Sequence, residues 1–218
     1  MSVFDPGFED LGDTIPIFPL PGVLLLPGGF LPLNIFEPRY LNMTSDAMGG
    51  DRMIGMIQPR PCKNVVGDHP VYNTGCAGRI VAFEETEDGR YLITLKGIAR
   101  FNIKQELAPK NGCRLVEPDW SPYSHDLDDN NNDIPDREGF LKSLKKYFAI
   151  NKIDANWDAI EEAPCERLVT SVAMICPFEP PEKQALLEAI TVPERIKVLT
   201  TLVSMAVMSV GGENFDRQ

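Results

Sequence analysis

The chain lacks several features that identify large classes of protein, beginning with paired cysteines. It has no CxxC motif, and its number of cysteines is odd: Cys62, Cys76, Cys113, Cys165 and Cys176. We therefore expect free thiols rather than a disulfide framework, which is typical of a reducing cytoplasm. Structural zinc sites usually draw their ligands from closely spaced pairs. The first three cysteines, together with His69, are therefore not expected to bind zinc, and no cofactor is predicted.

A long uninterrupted apolar run is also missing. The most apolar stretch, IFPLPGVLLLPGGFLPLNIFEPRYL at residues 17–41, is broken repeatedly by proline and glycine. A membrane-spanning helix needs ~20 residues with internally satisfied backbone groups, and closely spaced prolines destroy that pattern. Residues 1–13 are acidic and carry no basic region of the kind that opens a signal peptide. We expect no membrane association and a cytoplasmic location.

Positive charge is scarce. The 218 residues include 21 Lys and Arg against 32 Asp and Glu, a formal net charge of −11. This field repels phosphate backbones and anionic lipid, so no nucleic acid is expected as a partner. The largest basic cluster is the short stretch Lys142-Ser143-Leu144-Lys145-Lys146.

Catalytic motifs are absent as well. The sequence contains no GxxxxGK[ST], GxGxxG, HExxH or GxSxG pattern, and its two histidines are His69 and His125. Ser143 and Lys146 match a serine–lysine pattern, but they fall on the solvated face of a predicted helix and the companion motifs are missing. We predict that the chain is not an enzyme.

The N-terminal part is predicted to be mostly β. Its opening apolar stretch divides into three strands joined by proline and glycine turns, at residues 15–18, 23–26 and 30–35. A helix is predicted to begin at Glu37-Pro38 and to end at Gly49-Gly50. Asp88-Gly89, between two alternating segments, indicates a hairpin. Further strands are predicted at residues 53–58, 75–83, 90–96, 98–107 and 113–118, which suits a small, strongly curved sheet that closes on itself.

The C-terminal part is predicted to be helical. Residues 117–138 are acidic and rich in Asn and Pro, which indicates a solvated linker or a long exposed loop. A helix at 182–190 is expected after Pro180-Pro181, and Thr191 and Glu194 form a capping box before a last helix that Gly211-Gly212 should end. Apolar residues recur with helical period in three stripes: Phe140, Leu141, Leu144, Tyr147 and Phe148; Leu168, Val169, Val172 and Ile175; Ile196, Leu199, Val203, Ala206 and Val210.

Three segments resemble one known family. IPIFPLPGVLLLPGGFLPLNIFEPRY, at residues 15–40, resembles the opening of the N-terminal, substrate-recognising domain of ATP-dependent Lon proteases. GCAGRIVAFEETEDGRYLITLKGIARF is similar to that family's G-x-x-A-x-I … D-G … I-x-L-x-G-x-x-R-F block. PFEPPEKQALLEAITVPERIKVL is similar to its bundle segment, in which K-Q-x-L-L-E precedes a final E-R helix. The resemblance runs from about residue 14 to residue 210.

The resemblance implies an α+β fold, with a PUA-like β pseudo-barrel that contains one helix and is followed by an α-helical bundle. The expected domains are a β-rich domain at 14–122, an acidic linker at 123–137 and a helical bundle at 138–211. Lon proteases continue into an ATPase and a Ser-Lys protease domain, whereas this sequence is similar to stand-alone bacterial Lon-domain proteins. The implied function is a non-catalytic protein- or peptide-binding module of protein quality control. The implied partners are unfolded or apolar-rich polypeptide segments, a Lon-type protease, or a second copy of the chain.

The candidate substrate-binding residues lie in the first apolar stretch and at the start of the first helix: Leu24, Leu25, Leu26, Phe30, Leu31, Glu37, Arg39 and Tyr40. The aliphatic excess would form an exposed patch or leave an unpaired strand edge. The alternatives are that these residues are all core or form a dimer face, and that Glu37 and Arg39 serve as a helix cap and an ion pair. Two other functions stay open: RNA binding by a PUA-like barrel, and a small-molecule site between barrel and bundle.

Overall fold

The structure is a computed structural model that describes residues 7–62, 69–128 and 134–213, with side chains up to residue 208. Six strands form one sheet: β1 (Ile15–Pro19), β2 (Phe30–Ile35), β3 (Met53–Ile57), β4 (Thr74–Glu85), β5 (Tyr91–Lys110) and β6 (Cys113–Asp119). The α-helices in the described residues are α1 (Pro38–Met48), α2 (Arg137–Asn151), α3 (Trp157–Glu162), α4 (Cys165–Ile175), α5 (Pro180–Glu188) and α6 (Val192–Glu213). Two 3-10 helices, Phe8–Asp10 and Ser121–Leu127, complete the fold, and the second is called the 3-10 segment below.

The sheet closes into a barrel because β5 is long enough to take part in three pairings. The strand order is β2-β5-β4-β3-β1-β6, and an additional β5–β6 pairing closes the ring through β5, so that β2 lies outside the closed ring. The first half of β5 pairs with β2 and β4, and its second half pairs with β6. Among the described strands, β1 and β3 are the one parallel pair. The α+β class and the closing sheet predicted from the sequence are confirmed.

The expected strand at 23–26 is wrong, because these residues form a loop whose side chains fill the core. Leu24, Leu25 and Leu26 are 2%, 1% and 0% exposed. The loop lies directly against β5: the Gly28 N–H donates to the Gly97 carbonyl at 2.9 Å, and a Cβ at Gly97 would lie 2.1 Å from the Leu26 carbonyl oxygen. A glycine is therefore required in the middle of β5, where the loop crosses it.

The predicted ends of α1 and the predicted start of α6 are confirmed, whereas α5 spans Pro180–Glu188 rather than 182–190. Glu37 precedes α1, Pro38 is its first residue, and the helix ends before Gly49. The capping box is formed, since the Glu194 N–H donates to Thr191 Oγ1 at 3.3 Å and the Thr191 N–H donates to Glu194 Oε2 at 3.3 Å.

Two expectations for the bundle are not met: one concerns a surface residue of α4 and the other the end of α6. Ile175, placed in an apolar stripe, is 66% exposed. The expected stop at Gly211-Gly212 is wrong, because α6 continues to Glu213. The side chain of Val210 lies outside the described residues. The short helix α3 was not anticipated from the periodicity.

The acidic segment at residues 117–138 is not a solvated linker over the residues that the structure describes. Its first residues belong to β6, and it continues into the 3-10 segment, where Tyr123 is 5% exposed and the Asp126 side chain is 5% exposed. Residues 129–133 of the expected linker lie outside the described residues. A buried carboxylate needs a buried cation to compensate its desolvation, and Arg100 of β5 supplies it.

Arg100 joins the barrel, the 3-10 segment and the bundle. Its Nη2 and Nε donate to the two Asp126 oxygens at 2.6 and 2.8 Å, and its guanidinium lies 4.3 Å from the centre of the Tyr123 ring. The remaining donors point at the turn between α5 and α6: Nη1 donates to the carbonyls of Leu187 (2.9 Å) and Ala189 (2.5 Å), and Nη2 donates to that of Ile190 (2.8 Å). We call this arrangement the Arg100 clamp.

Polar side chains of α5 extend the joint. Lys183 donates to the Gly22 carbonyl at 2.7 Å, and burial lowers the pKa of its ammonium group. Gln184 donates to the Thr74 carbonyl and accepts from Gln58, at 3.2 Å in both cases. One apolar core runs from the barrel into the bundle around these contacts. Barrel and bundle are therefore held together by directional bonds as well as by apolar contact.

Candidate functional site

Strand β2 pairs with β5 alone among the strands that the structure describes, so its other edge is free of strand partners there. The Gly97 N–H donates to the Gly29 carbonyl at 2.8 Å, which sets the alternation of the antiparallel ladder. The backbone groups of Phe30, Pro32 and Asn34 therefore point away from β5. Since proline has no N–H, the free edge offers three carbonyls and two N–H donors. Pro32 thus makes non-specific pairing with other strands less favourable, while the remaining groups can still accept a strand.

A groove lies beside the start of β2, between the turn at residues 27–29 and α4. It encloses about 670 Å³. Its apolar side chains include Phe30, which is 60% exposed, and Met174 and Ile175 of α4. The lining also carries charged side chains: Lys96, Asp126, Asp128, Glu166 and Arg167. The helix approaches closely because Gly29 has no side chain: a Cβ there would lie 2.3 Å from the Met174 sulfur. We call the free edge and this adjoining groove the β2 groove.

A second pocket of about 670 Å³ lies on another part of the barrel surface, between β1, the start of α1 and the β5–β6 hairpin. Its lining includes Arg39, Arg60 and Arg114, together with Tyr40 and His69. None of the described residues that line it is Asp or Glu. We call it the arginine pocket.

Two of these arginines are held by carboxylates that lie outside the lining. Arg114 donates to Glu106 through Nε at 2.6 Å and through Nη2 at 2.9 Å, and these bonds lower the pKa of the Glu106 carboxyl. Arg39 pairs with Glu37 at 3.1 Å and lies 4.5 Å from the centre of the Tyr40 ring. The guanidinium groups are therefore oriented before any ligand arrives.

The eight candidate residues do not form one site. Leu24, Leu25 and Leu26 are core, so the exposed patch expected of them is absent. Phe30 and half-buried Leu31 belong to β2, with Phe30 in the β2 groove.

Arg39 and Tyr40 line the arginine pocket, and Glu37 lies beside it as the partner of Arg39. Tyr40 is 6% exposed and packs on Phe18 with ring centres 4.1 Å apart, so it is mainly a core residue. The sequence did not indicate Met174, Ile175, Arg60 or Arg114, which come from separate parts of the chain.

The described residues offer little for catalysis or metal binding. No group of three or more His, Cys, Asp or Glu side chains among them is arranged to hold a metal ion. Between barrel and bundle lies a cavity of about 340 Å³, but its Arg100 and Asp126 are engaged in the clamp. Within the described part of the chain, no helix is both long and apolar enough to cross a membrane.

Comparison with known proteins identifies the family. The sequence pattern of the ATP-dependent protease La (LON) substrate-binding domain matches residues 14–204. The chain therefore belongs to this family, as its three motifs indicated. It is 33% identical over 140 residues to a Lon protease of Parabacteroides distasonis, covering 62% of this chain and 16% of that one. It is 29% identical over 214 residues to a Lon protease of Anaeromyxobacter dehalogenans, covering 90% of this chain and 24% of that one.

Solved structures agree on the fold. The Lon N-terminal domain protein from Xanthomonas campestris superposes with a TM-score of 0.62 at 22% identity, covering 86% of this chain and 97% of that one. The N-terminal domain of a Mycobacterium avium complex Lon protease gives 0.59 at 16% identity, covering 88% and 98%. The chain spans a quarter or less of the length of the two Lon proteases compared above.

The residues of the family motifs mostly build the joint between barrel and bundle. Gly97 and Arg100 of the G-x-x-R-F motif admit the buried loop and form the clamp. Lys183 and Gln184 of K-Q-x-L-L-E bond to the barrel, and Arg195 of the E-R helix donates to the Leu186 carbonyl at 3.1 Å. Burial lowers the pKa of Arg195 to about 10. These motifs are therefore primarily structural.

Proposed function

We propose that this chain is a non-catalytic protein-recognition module that binds extended, apolar-rich segments of other polypeptides in the β2 groove. The observation that carries the proposal is the free edge of β2 beside a groove that exposes Phe30, Met174 and Ile175. An extended segment added to the edge would exchange backbone hydrogen bonds with Phe30 and Asn34. Its apolar side chains would contact Phe30, Met174 and Ile175. Main-chain bonds of this kind supply affinity with little sequence selectivity, which suits a binder of unfolded chains.

The family gives the proposal its biological setting. The matched domain is named for substrate binding in ATP-dependent proteases, so a role in protein quality control, with a Lon-type protease as a partner, follows by analogy. We expect purified protein supplied with ATP and labelled casein to show neither cleavage nor ATP hydrolysis. Cleavage that depended on Ser143 would contradict the proposal.

The affinity should be modest. A groove that buries a few large side chains, after the cost of association, corresponds to a dissociation constant on the order of 10 μM, or about −7 kcal/mol. Because the contacts are apolar and main-chain, raising the salt concentration should hardly weaken them. Binding to a phosphate backbone would weaken steeply.

The test is fluorescence anisotropy of a labelled peptide from an unfolded protein, titrated with the full chain. Asn34→Pro removes one of the two outward N–H donors, and Phe30→Ser removes the exposed ring. Each should weaken binding several-fold. Phe8→Ser is the matched control, since Phe8 is 44% exposed but lies outside the groove.

Three results would contradict the proposal. Equal affinity of all variants would exclude the β2 groove as the binding site. Tight, salt-sensitive binding of RNA without peptide binding would favour the barrel as an RNA-binding module. Concentration-dependent dimerisation that Phe30→Ser abolishes, without peptide binding, would identify the β2 groove as a dimer face.

A further inference from the structure

The arginine pocket is anomalous in its charge. The chain carries a net charge of −11, yet this pocket groups three arginines with no carboxylate among the described residues of its lining. Glu37 and Glu106, outside the lining, offset the charges of Arg39 and Arg114. The positive charge of Arg60 remains, in a chain whose acidic side chains outnumber the basic ones by 32 to 21. Local potentials of this kind select ligands by charge.

Three features add to the positive character. Arg39 and Tyr40 belong to the first turn of α1, whose N-terminal N–H groups carry partial positive charge. Arg60 lies 5.6 Å from the centre of the Tyr72 ring, and no carboxylate among the described residues pairs with it. The Arg39 side chain is 43% exposed, whereas that of Arg114 is 14% exposed and also donates to the His69 carbonyl at 2.8 Å. An arriving carboxylate therefore meets Arg60, which has no carboxylate partner among the described residues, and the exposed side of Arg39.

The walls of the pocket favour an extended chain over a small ion. Its apolar lining is rich in prolines: Pro19, Pro21, Pro59, Pro61 and Pro180. Proline rings are rigid and their nitrogens donate no hydrogen bond, so they offer contact area at little entropic cost. A volume of about 670 Å³ holds several residues rather than one anion. The Arg60 guanidinium is suited to bidentate bonding with a carboxylate.

We propose that the arginine pocket is a second binding site, which takes an acidic extended segment of a polypeptide. Carboxylates of the segment would pair with Arg60 and with the solvent-facing side of Arg39, while its backbone lies along the prolines. The proposal does not depend on the β2 groove, because the two sites share no residue.

The experiment compares two labelled peptides on the full chain, one with alternating Glu and Ser and one with Gln in place of every Glu. We expect the acidic peptide to bind more tightly. Arg60→Gln should weaken it about fivefold, the loss typical of one solvent-accessible charge pair. Arg90→Gln is the matched control: it removes the same charge from a similarly exposed arginine, paired with Asp88 in the β4–β5 hairpin and outside the pocket.

The reactivity of the Cys62 thiol shows whether the acidic peptide binds in the arginine pocket. Cys62 lines the pocket and is exposed, whereas the other four cysteines are buried. A bound acidic peptide should slow alkylation of Cys62 by iodoacetamide, measured by mass spectrometry, and the apolar peptide that tests the β2 groove should not.

Equal binding of the acidic and amide peptides, equal loss in Arg60→Gln and Arg90→Gln, or binding that leaves Cys62 unprotected would overturn the proposal. Protection of Cys62 by inorganic phosphate but not by the acidic peptide would also overturn it and indicate a small-anion site. The apolar peptide, titrated into the same variants, tests the β2 groove separately, so failure at one site is distinguishable from failure at the other.

Discussion

Replacing Arg100, which is 1% exposed, with methionine should strongly destabilise the protein. The substitution keeps much of the side-chain volume and removes every side-chain hydrogen bond of the clamp, while the backbone N–H of residue 100 still donates to Asp126 Oδ2 at 2.9 Å. Asp126 would stay buried without its cation, a situation that typically costs 3–5 kcal/mol. The carbonyls of Leu187, Ala189 and Ile190 would each lose a charged donor. We therefore expect a loss of about 4 kcal/mol of unfolding free energy.

The assay is urea denaturation followed by two probes. Trp120 packs on Phe101 at the end of the barrel, and Trp157 packs on Phe148 in the bundle, with ring centres 5.6 and 5.4 Å apart. Trp120→Phe and Trp157→Phe therefore give proteins whose fluorescence reports one part at a time. In the parent chain both should report one transition. In Arg100→Met the bundle probe should change at lower urea concentration than the barrel probe.

Two controls make the result interpretable. Arg90→Met removes an exposed arginine and should change stability by less than about 0.5 kcal/mol. Adding Asp126→Leu to Arg100→Met removes the orphaned carboxylate and should restore part of the loss, which measures the coupling between the two residues. A loss below about 1 kcal/mol in Arg100→Met, with coincident transitions, would show that the clamp does not hold the bundle to the barrel.

Three further changes test other parts of the fold. Thr191→Ala removes half of the capping box and should cost about 1 kcal/mol; an unchanged denaturation midpoint would mean that the box contributes nothing. Gly97→Ala places a methyl group against the Leu26 carbonyl and should cost well over 1 kcal/mol or prevent folding, whereas a stable, soluble variant would show that the buried loop shifts freely. Arg114 lowers the pKa of Glu106, so the stabilisation that this pair provides is present above the ordinary value of 4.5 and is lost as the pH falls through the lowered pKa. The stability difference between the parent chain and Glu106→Gln should therefore shrink at acid pH, and a difference independent of pH would contradict the assignment.

Short sequence patterns predicted the structure correctly where a turn or a helix end depends on its own residues alone. Asp88-Gly89 correctly predicted the hairpin between β4 and β5, since a tight turn depends on its own residues. Pro38 correctly marked the start of α1 because its missing N–H is harmless only in the first turn. The loop at 23–26 was mistaken for a strand because apolar residues fill a core equally well from either conformation, and only contact with β5 decides between them.

Contacts between distant parts of the chain were harder to predict for the same reason. Asp126 lies in a stretch that reads as solvated, and its burial depends on Arg100, 26 residues earlier in the chain. Phe30, one of the candidate binding residues, is exposed, but its neighbours in the groove, Met174 and Ile175, are far away in sequence. In a single sequence, the spacing of residues does not show which distant residues come into contact.

The Arg100 clamp also determines what a bound polypeptide would do to the protein. One wall of the β2 groove comes from the barrel and the other from α4 of the bundle, so the groove exists only while the two parts are docked. A ligand that occupies it binds the docked form alone, and by linkage it adds RT ln(1 + [L]/Kd) to the free energy of docking. A peptide at about a hundred times its dissociation constant would return roughly 2.7 kcal/mol, more than half of what loss of the clamp removes. Docking of the bundle on the barrel and binding in the β2 groove are therefore thermodynamically coupled. A variant with weakened docking would first be detected by its lower affinity for polypeptide.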